Sequence, residues 1–152
     1  MSGIRIAALA AWILSAALVA HAPAAHALTV PALFGDHMVL QRDCRVPVWG
    51  TAAPGAPVSV SIDGRTVRTR ASADGRWSVT LAPIAVGDAR ELVIASAAET
   101  LRIRDVRVGE VWLASGQSNM EMPVDGWGKV LDVNAEVAAA KFPDIRMLTV
   151  AH

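Results

Sequence analysis

The residues with the clearest chemical potential lie in "GQSNM", residues 116–120, a small polar island inside the otherwise apolar run "VWLASGQSNMEMPV". A serine hydroxyl attacks an ester when a base takes its proton and hydrogen-bond donors receive the developing oxyanion. Ser118 has the residue type for the attack, and main-chain N–H groups of a tight turn through Gly116, Gln117, Ser118 and Asn119 are natural donors. Gly116, without a side chain, admits a close neighbour. A structural role fits the same letters, because Ser118-Asn119-Met120-Glu121 matches S-x-x-E, a capping box in which the serine starts a helix and the glutamate reaches back. Capping serines are far commoner than catalytic ones. The α/β-hydrolase elbow G-x-S-x-G is not matched, since Met120 stands where its second glycine belongs. Spacing alone leaves both roles open.

The elements that would position this loop are an apolar strand before it and a helix after it. "GEVWLASG" is apolar on both faces, the pattern of a parallel-sheet strand, and ligands of open α/β folds gather at the C-terminal ends of such strands. Val130, Val133, Val137 and the alanines at 138–140 recur at helical spacing, predicting a helix over about residues 129–141. Pro143 then breaks it and "IRMLTV" reads as another strand. Strand, loop, helix, strand is the opening unit of an α/β domain, and one such unit cannot cover its own sheet. A truncated domain, part of a longer enzyme, is therefore expected.

Upstream the pattern is short alternating strands. Val58, Val60 and Ile62 share one face, as do Trp77, Val79 and Leu81, and Asp63-Gly64 and Asp74-Gly75 read as two tight turns of a meander. Roughly seven strands in about 80 residues predict a β-sandwich. The fold class is thus mostly β: a sandwich over residues 28–105, then an incomplete α/β unit over 106–152.

Residues 1–27 read as an export signal, with Arg5, the apolar run 6–20 and the small-x-small site Ala25-His26-Ala27. Cleavage is expected after Ala27, with Ala22 second, giving a secreted or periplasmic product with no membrane attachment; the run is shorter than the roughly 20 residues a span needs. Fourteen lysines and arginines balance fourteen aspartates and glutamates, so nothing points to a nucleic-acid partner. The lone Cys44 cannot form an internal disulfide and reads as a buried or strand-edge residue. No Cys/His cluster has metal-ligand spacing, and no metal or other cofactor is expected.

"GEVWLASGQSNMEMPV" resembles the nucleophile block of the sialate O-acetylesterase family, whose catalytic domain is a variant SGNH (GDSL-like) hydrolase fold. "LFGDHMVLQRDCRVPVWGTAAPG" and "DGRWSVTL" are similar to that family's N-terminal β-domain, and "KFPDIRMLTV" to the strand after its first helix. The resemblance implies that Ser118 is the nucleophile, that its own N–H serves the oxyanion hole, and that Gln117 and Asn119 shape the loop. It implies an O-acetylated sugar or glycan as substrate. The family's base comes from a late Asp-x-x-His, and no such motif occurs here. His21 and His26 leave with the signal, His37 sits in the sandwich where a structural role is favoured, and His152 is terminal. The chain as it stands is expected to be inactive.

Met120 and Met122 read as packing residues, and Trp49, Trp77 and Trp112 as core. Trp127, in the loop "DGWGK", is a candidate for stacking on a sugar or for stapling the next helix, and Met120 is a second candidate substrate contact. Asp125 is a candidate partner for a base or a helix-start residue. Two further readings remain: a non-catalytic sandwich that binds carbohydrate or protein, and a chain whose exposed strand edges pair with a separate subunit. Oligomeric state is not encoded legibly.

Overall fold

The computed structural model describes residues 27–97, 99–120, 122–125 and 130–150, with the backbone alone at Asn119. Residues 1–26 of the expected signal, and likewise Glu121, Trp127 and His152, lie outside them. Seven strands form among the described residues: β1 (Val39–Gln41), β2 (Val46–Thr51), β3 (Pro57–Ile62), β4 (Arg65–Arg70), β5 (Arg76–Leu81), β6 (Arg90–Ser96) and β7 (Glu99–Gly109). They make a five-stranded sheet in the order β1-β7-β6-β3-β4 and a two-stranded sheet of β2 and β5. The chain is mostly β, as its alternating pattern predicts.

The alternation is cashed in as burial. Val58, Val60 and Ile62 of β3 and Trp77, Val79 and Leu81 of β5 turn inward, and with Val48, Leu92, Ile94 and Val106 they form one core shared by both sheets. Asp63 and Gly64 close the β3–β4 hairpin with φ of 51° and 71°, the pair of left-handed residues that a two-residue turn matched to strand twist requires. β4 is an edge strand, and its Arg65, Arg68 and Arg70 keep that edge charged.

The second expected hairpin is corrected. β4 and β5 do not pair; the chain crosses between sheets at residues 71–75, and β5 pairs with β2 instead. Only Gly75 of the Asp74-Gly75 pair is left-handed, at φ 80°, so the turn lacks the geometry that would fold β5 back on β4. Gly75 is needed for a different reason as well: a Cβ there would lie 2.8 Å from the Ala52 carbonyl, to which this loop is tied by the Ala52 N–H donating to Gly75 O at 2.9 Å.

Downstream of β7 the structure departs from the expected strands. Residues 111–116 and 145–150 lie outside any strand, and Trp112 and Leu113 are 87% and 94% exposed, so Trp112 is not core. A strand apolar on both faces is stabilised by neighbours on both sides, and no strand among the described residues pairs with these segments. The helix is also shorter than its periodicity suggests. α1 spans Val133–Ala139, buries no residue, and starts at a left-handed Asp132 that makes no side-chain cap. A helix with no packed face has only propensity to extend it.

Candidate functional site

Ser118 opens a single 3-10 turn, Ser118–Met120, closed by the Met120 N–H donating to the Gln117 carbonyl at 2.8 Å. Among the described residues no α-helix follows this turn before α1 at Val133, and Glu121, the other half of the capping-box reading, lies outside them. Gly116 and Met120 are brought together: a Cβ on Gly116 would sit 2.8 Å from Met120 Cγ, so the glycine makes room for the methionine rather than for another strand. Met120 is nonetheless half exposed, and Gly116, Gln117 and Ser118 are exposed. The loop is presented to the surface with its serine accessible. Trp127, the other candidate sugar contact, lies outside the described residues.

The base is a separate matter. His37 is held elsewhere, at a bulge in β7 where two residues of β7 oppose one of β6 and Asp105 takes a left-handed φ of 51°. His37 Nδ1 lies 2.6 Å from Asp105 Oδ2, and the His37 N–H donates to the Arg104 carbonyl at 3.0 Å. Asp36 Oδ1 accepts from the Arg104 N–H at 2.7 Å. The hydrogen bond with His37, and then that with Arg146, hold the Asp105 carboxyl below the ordinary carboxylate range. His37 is thus tied to the β7 bulge through Nδ1, with its side chain exposed.

Arg146 is the residue that sequence reasoning missed. Its Nη1 donates to the carbonyls of Asp105 (2.6 Å) and His37 (2.9 Å), and Nη2 donates to Asp105 Oδ2 at 2.8 Å. Arg107 adds a looser contact from β7 to Asp144 at 3.7 Å. This fork fastens the segment after α1 to the sheet. The signal available in the sequence was one arginine inside the apolar "IRMLTV" and one aspartate inside the strand "RIRDVRV", a complementary pair of misfits. A second fastening lies just before the loop, where Gln41 accepts from the Val111 N–H at 2.8 Å and donates to Glu110 at 3.1 Å. The segment carrying Ser118 is therefore tied to the β part at both ends.

Cys44 is exposed, not buried, in the turn between β1 and β2, with its Sγ 3.8 Å from the Gln41 carbonyl. Trp49 is not fully core: it stands edge-on to Phe34, ring centroids 4.9 Å apart, and is 40% exposed. Among the described residues no group of three or more His, Cys, Asp or Glu side chains is placed to hold a metal ion, and no helix is long and apolar enough to cross a membrane.

No protein-family model matches the chain. Sialate O-acetylesterases do: that of Pongo abelii is 34% identical over 129 residues, that of Homo sapiens 33% over 129, and that of Mus musculus 30% over 128. Each match takes in 76% of this chain and 23–24% of the relative, so the chain spans about a quarter of the length of the curated relatives it matches. Among solved structures, a carbohydrate acetylesterase from Xanthomonas citri superposes with a TM-score of 0.70 at 42% identity, over 76% of this chain and 26% of that one. Across the matched part, the chain is a homologue of the sialate O-acetylesterases.

Proposed function

We propose that this chain is the nucleophile-bearing front part of a carbohydrate O-acetylesterase. The observation that carries the reading is the 34% identity to a sialate O-acetylesterase, supported by the likeness to a carbohydrate acetylesterase structure. In this reading residues 1–27 direct export to a secreted or periplasmic location, 28–105 are the β-sandwich, and 106–152 open an SGNH-type hydrolase domain. Ser118 Oγ attacks the acetyl carbonyl of an O-acetylated sugar, of which an acetylated sialic acid is the first candidate. A base takes the serine proton, the Ser118 N–H steadies the oxyanion, and the C–O bond to the sugar breaks. The sugar hydroxyl leaves with the proton. Water then attacks acetyl-Ser118, releasing acetate and restoring the serine.

Gln117 and Asn119 shape the loop, and Met120 and Trp127 are the residues proposed to meet the sugar. The base is proposed to come from a histidine outside this stretch of chain, because the family's base is supplied by a late Asp-x-x-His and no such motif occurs here. The exposed apolar segments 111–116 and 145–150 are then the two strands around which the remainder of the hydrolase sheet assembles. By itself the 152-residue chain is expected to turn over little or no ester.

The test is release of acetate from a 9-O-acetylated sialoside and from 4-nitrophenyl acetate by the longer protein that carries this chain. Ser118→Ala is expected to lower kcat by at least about a thousandfold, as removal of a serine nucleophile does. Undiminished turnover in Ser118→Ala would rule out the assignment.

A further inference from the structure

The free edge of β4 combines open main-chain groups with unbalanced positive charge. In an antiparallel ladder, opposed residues alternate between pairs that exchange main-chain hydrogen bonds and pairs that do not. Pro57 has no N–H and lies opposite Arg70, so that pair is of the second kind. One residue on, the Ala71 N–H donates to the Ala56 carbonyl at 3.0 Å, a bond of the first kind. By the same alternation Arg68, opposite Ser59, and Thr66, opposite Ser61, also turn their N–H and C=O groups away from β3. No strand among the described residues pairs with that side. Thr66, Arg68 and Arg70 are exposed, and at the end of the edge Thr69 and Arg70 line an open groove of about 880 Å³.

The charge is left over on this strand alone. On the other strands Arg76, Arg90, Arg102, Arg104 and Arg107 each have a carboxylate within 3.8 Å. Arg65, Arg68 and Arg70 have none among the described residues, and Arg70 donates only to the Gly55 carbonyl, at 3.1 Å. Arg68 and Arg70 share the outer face of the sheet, because the alternate positions of β3, Val58 and Val60, are buried in the core. Alternate residues of a strand lie about 6.7 Å apart, so carboxylates at every second position of a neighbouring strand match the two guanidiniums in spacing. A second copy of this chain on the same edge would set arginine against arginine, and like charges directly opposite destabilise a pair.

We propose that β4 takes up an extended acidic peptide of a partner protein as an added antiparallel strand. Thr66, Arg68 and Arg70 supply the main-chain hydrogen bonds, and the side chains of Arg68 and Arg70 meet carboxylates at alternate residues of the peptide. Strand addition draws its affinity from the main chain and its selectivity from alternate side chains, and forked guanidinium–carboxylate bonds favour an acidic sequence over a neutral one. None of these residues belongs to the Ser118 loop, and the proposal does not rest on the esterase reading.

The peptide acetyl-TTETETT-amide titrated into the chain tests it through main-chain amide signals in 1H–15N spectra and their hydrogen exchange. Run in parallel are acetyl-TTQTQTT-amide, the acidic peptide N-methylated at both glutamates, and a heparin oligosaccharide. The expected result is a saturable shift of the Thr66, Arg68 and Arg70 amides with the acidic peptide, and their protection from exchange. Affinity is expected to fall at least about tenfold with the glutamine peptide, with the N-methylated peptide and in Arg68→Gln/Arg70→Gln. Arg68 is exposed, so Arg68→Gln alone keeps the fold and must also weaken binding. Arg65, opposite the buried Ile62, lies on the other face, and Arg65→Gln must cost less than Arg68→Gln. Ser118→Ala must leave the titration unchanged. The proposal is overturned by no saturable shift, by equal binding of the glutamine or N-methylated peptide, by the same amide protection with heparin, or by undiminished affinity in Arg68→Gln/Arg70→Gln. Protection of the three amides before peptide is added, whether by a second copy or by the remainder of the longer protein, overturns it as well.

Discussion

Replacing Arg146 with alanine removes the fork that fastens the segment after α1 to β7. Its guanidinium sits in a nearly closed position and makes two short donations to main-chain carbonyls, at 2.6 and 2.9 Å. A hydrogen bond from a charged donor contributes about 1.5–3 kcal/mol net. The carbonyls lie near the surface and regain water when the side chain is gone, so the low end applies and the pair is worth about 2–3 kcal/mol together. With a urea slope of about 2 kcal/mol/M, the unfolding midpoint should fall by about 1–1.5 M. Arg104→Ala is the matched control, because Arg104 is largely exposed and meets Glu91 only at 3.8 Å; its midpoint should move by the small amount of a surface pair. Arg146→Lys should recover little of the loss, since a lysine ammonium cannot span the divergent acceptors that the planar fork reaches. Equal midpoints for Arg146→Ala and Arg104→Ala would show that the fork does not hold the segment down, and that the loop before α1 is anchored through Gln41 alone.

Three further outcomes follow from particular contacts. Leu92→Ala, at a fully buried position of β6 in the shared core, should cost about 2–5 kcal/mol in the same urea experiment. Gly64→Ala tests the hairpin turn: nothing lies within 4 Å of the added methyl, so its cost is the left-handed backbone alone, about 1–2 kcal/mol, and an unchanged midpoint would refute the φ of 71°. For Asp105, whose folded carboxyl titrates below its unfolded value of about 3.9, the stabilisation is complete above that value and is lost as pH falls through the folded one. The stability gap between the parent chain and Asp105→Asn should therefore shrink as pH is lowered from about 5 to about 2, and a gap constant with pH would refute the pairing with His37 and Arg146.

What could be read from the sequence was what local pattern determines. The inward faces of β3 and β5 follow from period-two alternation, and Asp63-Gly64 specifies its turn because both residues tolerate positive φ. Asp74-Gly75 shows the limit of that rule. Its letters are the same, yet Ala71 is buried and the loop is tied to Ala52 of the other sheet, so tertiary contacts decide where the chain goes next. The acidic partner of Arg146 could not be found by any local rule, because Asp105 and Arg146 lie 41 residues apart and each looks like an isolated misfit in its own strand-like run.

The serine loop was legible as a chemical unit but not as a strand end. The run before it, "VWLA", is apolar at every position, and that pattern is a statement about neighbours on both faces more than about the residues themselves. Where a neighbour exists the chain pairs: the end of β7 accepts β1 in parallel register, Val39 opposite Arg107 and Gln41 opposite Gly109. Beyond Gly109 the register has no partner, pairing stops within one residue, and Trp112 and Leu113 turn outward. Leaving two such side chains in water forgoes about 1.5–3 kcal/mol each relative to burial, which is a strong bias toward any surface that would cover them. If a sheet does close over residues 111–116, the Gln41 contacts to Glu110 and Val111 fix where its first strand begins, and Ser118 then emerges at its C-terminal end, where an open α/β fold places its ligands.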